Sequence, residues 1–186
     1  MVWLNKITDS PVTFGGLFET DPGMTKKSAE ALLQGLVILV ADGNAYMRRL
    51  SRNMLTTLGA KSVIEAEDGV AALEAIRSHN PDVVLLDSDL PGYNGLDVAR
   101  AVRTPGMFPR PHVPIIMLSG HASQAAVKEA MHAGVHEFLI KPTSPKALHD
   151  RLTSILINPR PMTRRGDFYG PEPRQRIELT KLGRPA

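Results

Sequence analysis

Four polar residues stand at the ends of apolar runs: Asp42 after 36–41, Asp87 closing 82–87, Ser119 after 113–118 and Lys141 after 137–140. Two carboxylates, a hydroxyl and an ammonium are the parts of a small acidic site. Paired carboxylates share a hard cation such as Mg²⁺, which takes oxygen ligands and keeps several waters. An ammonium and a hydroxyl beside them bind the oxygens of a phosphoryl group. A carboxylate held there can also attack phosphorus. Taken singly, Asp42 reads as a helix cap and Lys141 as a surface lysine. Their recurrence at the ends of runs sets them apart.

These residues meet only if the runs are strands of one sheet. Leu36-Val-Ile-Leu-Val-Ala41 and Asp82-Val-Val-Leu-Leu-Asp87 are continuous and apolar, as strands buried on both faces are. Ser62-Val-Ile-Glu-Ala66, 113–118 and 137–140 complete a set of five. Between them, apolar residues recur at helical spacing: Met47, Leu50, Met54, Leu55 and Leu58; Val70, Leu73 and Ile76; Leu96, Ala99 and Val102; Val127, Ala130 and Met131. A fifth helix opens at Ser144-Pro145 and carries Leu148, Leu152, Ile155 and Leu156. Alternation of this kind predicts an α/β, doubly wound, five-stranded parallel sheet with right-handed crossovers. All four polar residues then fall at the carboxyl edge, where such sheets bind ligands.

At these residues the chain resembles the receiver domain of two-component response regulators, with its CheY-like, flavodoxin-like fold. The resemblance is carried by Val37-Ile-Leu-Val-Ala-Asp-Gly-Asn-Ala-Tyr-Met-Arg-Arg49, Val84-Leu-Leu-Asp-Ser-Asp-Leu-Pro-Gly-Tyr-Asn-Gly95, Ile115-Ile-Met-Leu-Ser-Gly120 and Phe138-Leu-Ile-Lys-Pro142. It implies that Asp87 accepts a phosphoryl group from a sensor histidine kinase or phosphotransfer protein. It further implies that Ser119 is the switch hydroxyl, that Lys141 pairs with the phosphoryl oxygens, and that Phe138 is the aromatic switch. The Lys141–Pro142 bond is commonly cis in the family. Mg²⁺ would be held by Asp42, Asp87 and Asp89, the last through its backbone carbonyl or side chain. The chain departs from the family where the first strand ends: two adjacent acids are usual, and here Asp42 is followed by Gly43. A missing carboxylate weakens Mg²⁺ binding, and it opens the alternative of an unphosphorylated pseudo-receiver adaptor.

The expected organisation is an N-terminal extension over 1–34 with a short helix at 25–33, a receiver over 35–157, and a basic, Pro-rich arm over 158–186. The arm holds seven Lys and Arg against three acids, and five of the fifteen prolines, whereas 35–157 is charge-neutral. So many fixed φ angles argue against a helix or central strand. Arg164, Arg165, Tyr169, Arg174 and Arg176 are its candidate contacts to a ligand or partner. Short Arg-rich tails with a Tyr-Gly-Pro step resemble those of single-domain receivers that bind cyclic di-GMP, giving a second alternative, a cyclic-dinucleotide effector. Specific DNA binding is not expected, because a segment this rich in proline holds no helix-turn-helix. The absence of cysteine excludes disulfides and thiol catalysis. No membrane span, secretory leader or appended output module is expected. The expected setting is a cytoplasmic signalling protein, not an enzyme beyond its own phosphotransfer and dephosphorylation, with a downstream protein target and self-association through the arms or the Phe138 face. His132, His136 and His149 read as surface or boundary residues, and Arg48, Arg49 and Arg52 as a solvated helix face.

Overall fold

A computed structural model describes residues 33–121 and 123–173. Five strands, β1 (Val37–Ala41), β2 (Ser62–Ala66), β3 (Val83–Asp87), β4 (Ile115–Ser119) and β5 (Glu137–Ile140), form one parallel sheet in the order β2-β1-β3-β4-β5. The helices are α1 (Ala45–Thr57), α2 (Gly69–His79), α3 (Gly95–Arg103), α4 (Gln124–His132) and α5 (Pro145–Ile157). The doubly wound parallel sheet expected from the apolar runs is therefore present.

Side-chain alternation divides the core into two layers. Leu39, Val84, Leu86, Ile115 and Met117 pack with Ile76, Val98 and Val102 on the side of α2 and α3. Ile38, Val40, Val83, Leu85, Ile116 and Leu118 pack with Leu55, Leu148 and Leu152 on the side of α1 and α5. Leu33 is buried in this second layer. The rest of the helix expected at 25–33 lies outside the described residues. Asn44, Asp68, Asn94, Ser123 and Ser144 each cap a helix by accepting from the backbone N–H of its first turn.

One strand start and one helix face differ from expectation. The fourth strand starts at Ile115 rather than 113, because Pro114 has no N–H to give the ladder; its carbonyl still accepts from Val84 at 2.9 Å. Val70, expected on the buried face of α2, is 57 % exposed, since small residues Gly69, Ala72 and Ala75 make that contact with Ile76.

After α5 the arm folds back as an antiparallel hairpin of β6 (Met162–Arg165) and β7 (Phe168–Pro171), a sheet separate from the first. Gly166 adopts φ 58° in the turn, the left-handed region glycine enters without strain. Pro159, Pro161 and Pro173 flank the strands, and Pro171 ends β7, so no proline interrupts the ladder. The proline-based reading excluded a central strand and left this two-stranded ribbon unanticipated. A Gly-Asp step between a Thr-Arg-Arg run and Phe-Tyr was its turn signal.

Candidate functional site

The carboxyl ends of β1, β3, β4 and β5 bring Asp42, Asp87, Ser119 and Lys141 to one edge of the sheet. Lys141 Nζ lies 2.6 Å from Asp42 Oδ2 and 2.8 Å from Asp87 Oδ2, bridging two carboxylates on neighbouring strands. The remaining Asp42 oxygen accepts from the Asn44 N–H at 2.8 Å, and that of Asp87 from the Asp89 N–H at 3.3 Å. Lys141 N–H donates to the Ser119 carbonyl at 2.8 Å, which continues the sheet one residue past β5. The Lys141–Pro142 peptide is cis.

Burial sets the electrostatics. Desolvation pushes the Asp87 carboxyl above its ordinary value, against the lowering pull of Lys141 and of the Asp89 N–H. Burial alone would depress the Lys141 ammonium, but its bonds to Asp42 and Asp87 outweigh that and raise it. Two acids and one lysine leave a net negative charge, with hard oxygen atoms as the donors. Among the described residues no group of three or more His, Cys, Asp or Glu side chains is gathered to hold a metal. Asp89 is exposed, and its carboxylate accepts from Ser88 Oγ at 3.2 Å. The donor set that fits Mg²⁺ is thus two carboxylates, Asp42 and Asp87, with a carbonyl and waters.

Two glycines shape this edge. A Cβ on Gly95 would lie 2.2 Å from the Asp87 carbonyl oxygen, so only glycine lets α3 start this close to the end of β3. A Cβ on Gly43 would lie 2.9 Å from Pro91 Cδ, so Pro91 crowds the position where the second acid is usual. The Ser119 hydroxyl donates to the His121 carbonyl at 3.0 Å and accepts from the His121 N–H at 3.2 Å. Its bonds are therefore with its own loop.

Three residues were missed by pattern reading. Arg48 belongs to the site edge rather than to a solvated face: it donates to the Asp42 carbonyl at 2.7 Å and pairs with Glu65 and Glu67 at 3.7 Å. His136 is buried rather than at the surface, with Nδ1 accepting from the Ile115 N–H at 3.3 Å. Burial, with Arg103 and Arg160 nearby, holds it well below the ordinary histidine value and so neutral. Arg103, in the last turn of α3, is 4 % exposed. It donates to the carbonyls of Gly134 (3.0 Å), Pro111 (2.6 Å) and Val113 (2.8 Å), and lies 3.4 Å from His136 Nδ1. Burial lowers its guanidinium to about 9, still charged at neutral pH.

The hairpin packs against α4 and, with α3, β5 and α5, encloses a cleft of about 1330 Å³. Arg100, Arg103 and Arg151 of the body and Arg160, Arg164 and Arg165 of the arm line it, along with Phe138 and Tyr169. The Arg164 guanidinium sits 5.5 Å from the centre of the Tyr169 ring, a cation–π contact. Arg174 and Arg176 lie outside the described residues.

An open α/β sheet with acid, hydroxyl and lysine at the ends of β1, β3, β4 and β5 defines a signalling module of the two-component type. A family model for the response regulator receiver domain matches residues 38–153, and the chain belongs to that family. It is 37 % identical over 120 residues to the chemotaxis protein CheY1 of Helicobacter pylori, covering 64 % of this chain and 95 % of that one. It is 35 % identical over 118 residues to CheY of Pseudomonas aeruginosa, covering 63 % and 94 %. Among solved structures, the Vibrio cholerae chemotaxis protein CheY4 superposes with a TM-score of 0.60 at 27 % identity, covering 65 % of this chain and 98 % of that one. The hairpin lies beyond the family match. Among the described residues no helix is long and apolar enough to cross a membrane.

Proposed function

We propose that this chain is a response regulator that accepts a phosphoryl group on Asp87 from the phosphohistidine of a sensor kinase or phosphotransfer protein, and then changes its affinity for a downstream protein in the cytoplasm. The observation that carries this is Lys141 Nζ held between two buried carboxylates, 2.6 Å from Asp42 and 2.8 Å from Asp87. An ammonium so placed can stay with Asp42 and pass one N–H from the Asp87 carboxylate to a phosphoryl oxygen.

In the transfer, an Asp87 carboxylate oxygen forms the new bond to phosphorus as the P–N bond to the donor imidazole breaks. The nitrogen keeps the electron pair and a proton from solvent. Mg²⁺ bound by Asp42, Asp87 and the Asp89 carbonyl would supply charge neutralisation on the phosphoryl oxygens. Ser119 completes the site by turning its hydroxyl from the His121 carbonyl to the phosphoryl group. Asn44 and Arg48, bonded to Asp42, keep that carboxylate in place. With Gly43 in place of an acid, Mg²⁺ binding is weaker than in receivers with two adjacent acids.

Incubation with Mg²⁺ and acetyl phosphate should add one phosphoryl group to the wild-type mass and none to Asp87→Asn. A wild-type mass that stays unchanged overturns the phosphoacceptor reading and leaves the adaptor.

The arginine-lined cleft favours a second reading, in which the arm takes a cyclic dinucleotide: guanidiniums pair with phosphates, and Arg164 gives up the Tyr169 ring to a stacked base. Calorimetry with cyclic dinucleotides on the full chain and on Arg164→Ala/Arg165→Ala tests it. Heat that the double variant removes supports it, and no heat from wild type ends it.

A further inference from the structure

We infer that the C-terminal hairpin is a built-in occupant of the face formed by α4 and β5, and that its docking and phosphorylation of Asp87 oppose one another, a coupling that rests on the phosphoacceptor reading above and extends it to residues 162–171.

The dock is backbone against backbone. Gly134 follows α4 with φ 81°, and a Cβ there would lie 2.7 Å from the Tyr169 carbonyl oxygen and 2.8 Å from Arg103 Cγ. Facing it, a Cβ on Gly170 would lie 2.8 Å from Gly134 Cα. Contact this close has no side chain between the two backbones to absorb a shift. Arg160 fastens the base of the hairpin by donating to the carbonyls of His136 and Glu172, and the Glu172 N–H closes it on Pro161 at 2.9 Å. Four residues, 158–161, join α5 to β6. A span of at most ~14 Å suits docking on the same chain.

One short strand serves both sites. His136, which Arg160 holds, immediately precedes β5, and Lys141, which holds Asp42 and Asp87, immediately follows it. Between them Phe138 pairs with Met117 of β4, is half-buried against the core, and lines the cleft beneath the hairpin. With the hairpin docked, Ser119 is bonded to its own loop. A phosphoryl group on Asp87 draws the ends of β4 and β5 inward through Ser119 and Lys141. Close-packed interiors pass on such shifts by changing between discrete arrangements rather than by stretching. The Gly134–Gly170 contact fits the arrangement seen here, so the other arrangement weakens it, and by linkage the docked hairpin resists phosphorylation.

Amide hydrogen exchange on the full chain, with and without Mg²⁺ and beryllofluoride, reads this directly. Exchange across 162–171 should rise by about fivefold or more when the mimic is bound. Unchanged hairpin exchange, with Asp87 and Ser119 amides protected, overturns the coupling and leaves the phosphoacceptor reading standing. No protection at Asp87 or Ser119 overturns both. In the reverse direction, Gly170→Val in the full chain, whose side chain would meet both the Phe168 ring and Gly134 Cα, should tighten binding of beryllofluoride in the presence of Mg²⁺ about fivefold. An affinity equal to wild type, with exchange at 162–171 confirming an undocked hairpin, also overturns it.

Discussion

The two sites solve the problem of a buried cation in opposite ways. At the sheet edge Lys141 meets two carboxylates, and the cluster carries a net negative charge. Under the hairpin Arg103 meets three backbone carbonyls and a neutral histidine, and the cluster carries a net positive charge. Carboxylates can protonate, bind metal or exchange partners, so the first cluster suits chemistry. Carbonyls of Gly134, Pro111 and Val113 belong to three loop positions that the guanidinium ties together, so the second suits the holding of a shape.

That contrast predicts unequal responses to losing the cation. Arg103→Met takes the side-chain donor from the carbonyls of Gly134, Pro111 and Val113, and should lower unfolding free energy by about 3 kcal/mol in urea denaturation. A loss below about 1 kcal/mol would show that water replaces the guanidinium, and that the face is not dry. Lys141→Met should cost less, about 1–2 kcal/mol, because Asp42 and Asp87 each keep a backbone N–H partner and can take up a proton or a cation in place of the ammonium. An Arg103 variant more stable than the Lys141 variant would break the comparison.

The two clusters also face opposite ends of the pH scale. His136 is depressed below 6.5, so its share of stability is full above pH 6.5 and is lost as pH falls through that value towards its folded pKa. The slope should reach about 1.4 kcal/mol per pH unit and vanish in His136→Gln. Lys141 is raised above 10.5, so its share is full below pH 10.5 and is lost as pH rises beyond it. Thermal denaturation across pH 5–11 on wild type, His136→Gln and Lys141→Met separates the two. The smallest expected effect is at Arg48: Arg48→Ala removes one donor from the part-buried Asp42 carbonyl, and should cost about 0.5–1 kcal/mol.

The same contrast explains what pattern reading could find. Asp42, Asp87, Ser119 and Lys141 were legible because each directly ends an apolar strand, and parallel strands align their ends. Phe138, inside β5, was singled out only through the resemblance of Phe138-Leu-Ile-Lys-Pro142 to a receiver domain. Arg103 was not, since a charged residue in the last turn of a helix ordinarily faces water, and its acceptors are main-chain atoms that carry no residue signature. His136 went with it, because its burial follows from Arg103 and from the hairpin. In the hairpin, the prolines that spoke against a central strand do not interrupt a ribbon they flank. Only the Gly166-Asp167 step pointed to a turn.

The most direct test of the central claim is amide NMR during titration with beryllofluoride and Mg²⁺. Large shifts at Asp87, Asp89, Ser119 and Lys141 that saturate at one equivalent of the mimic, and disappear in Asp87→Asn, are what a phosphoacceptor aspartate held by Lys141 predicts. Amides that stay in place at those four positions, in a protein otherwise folded, would contradict it.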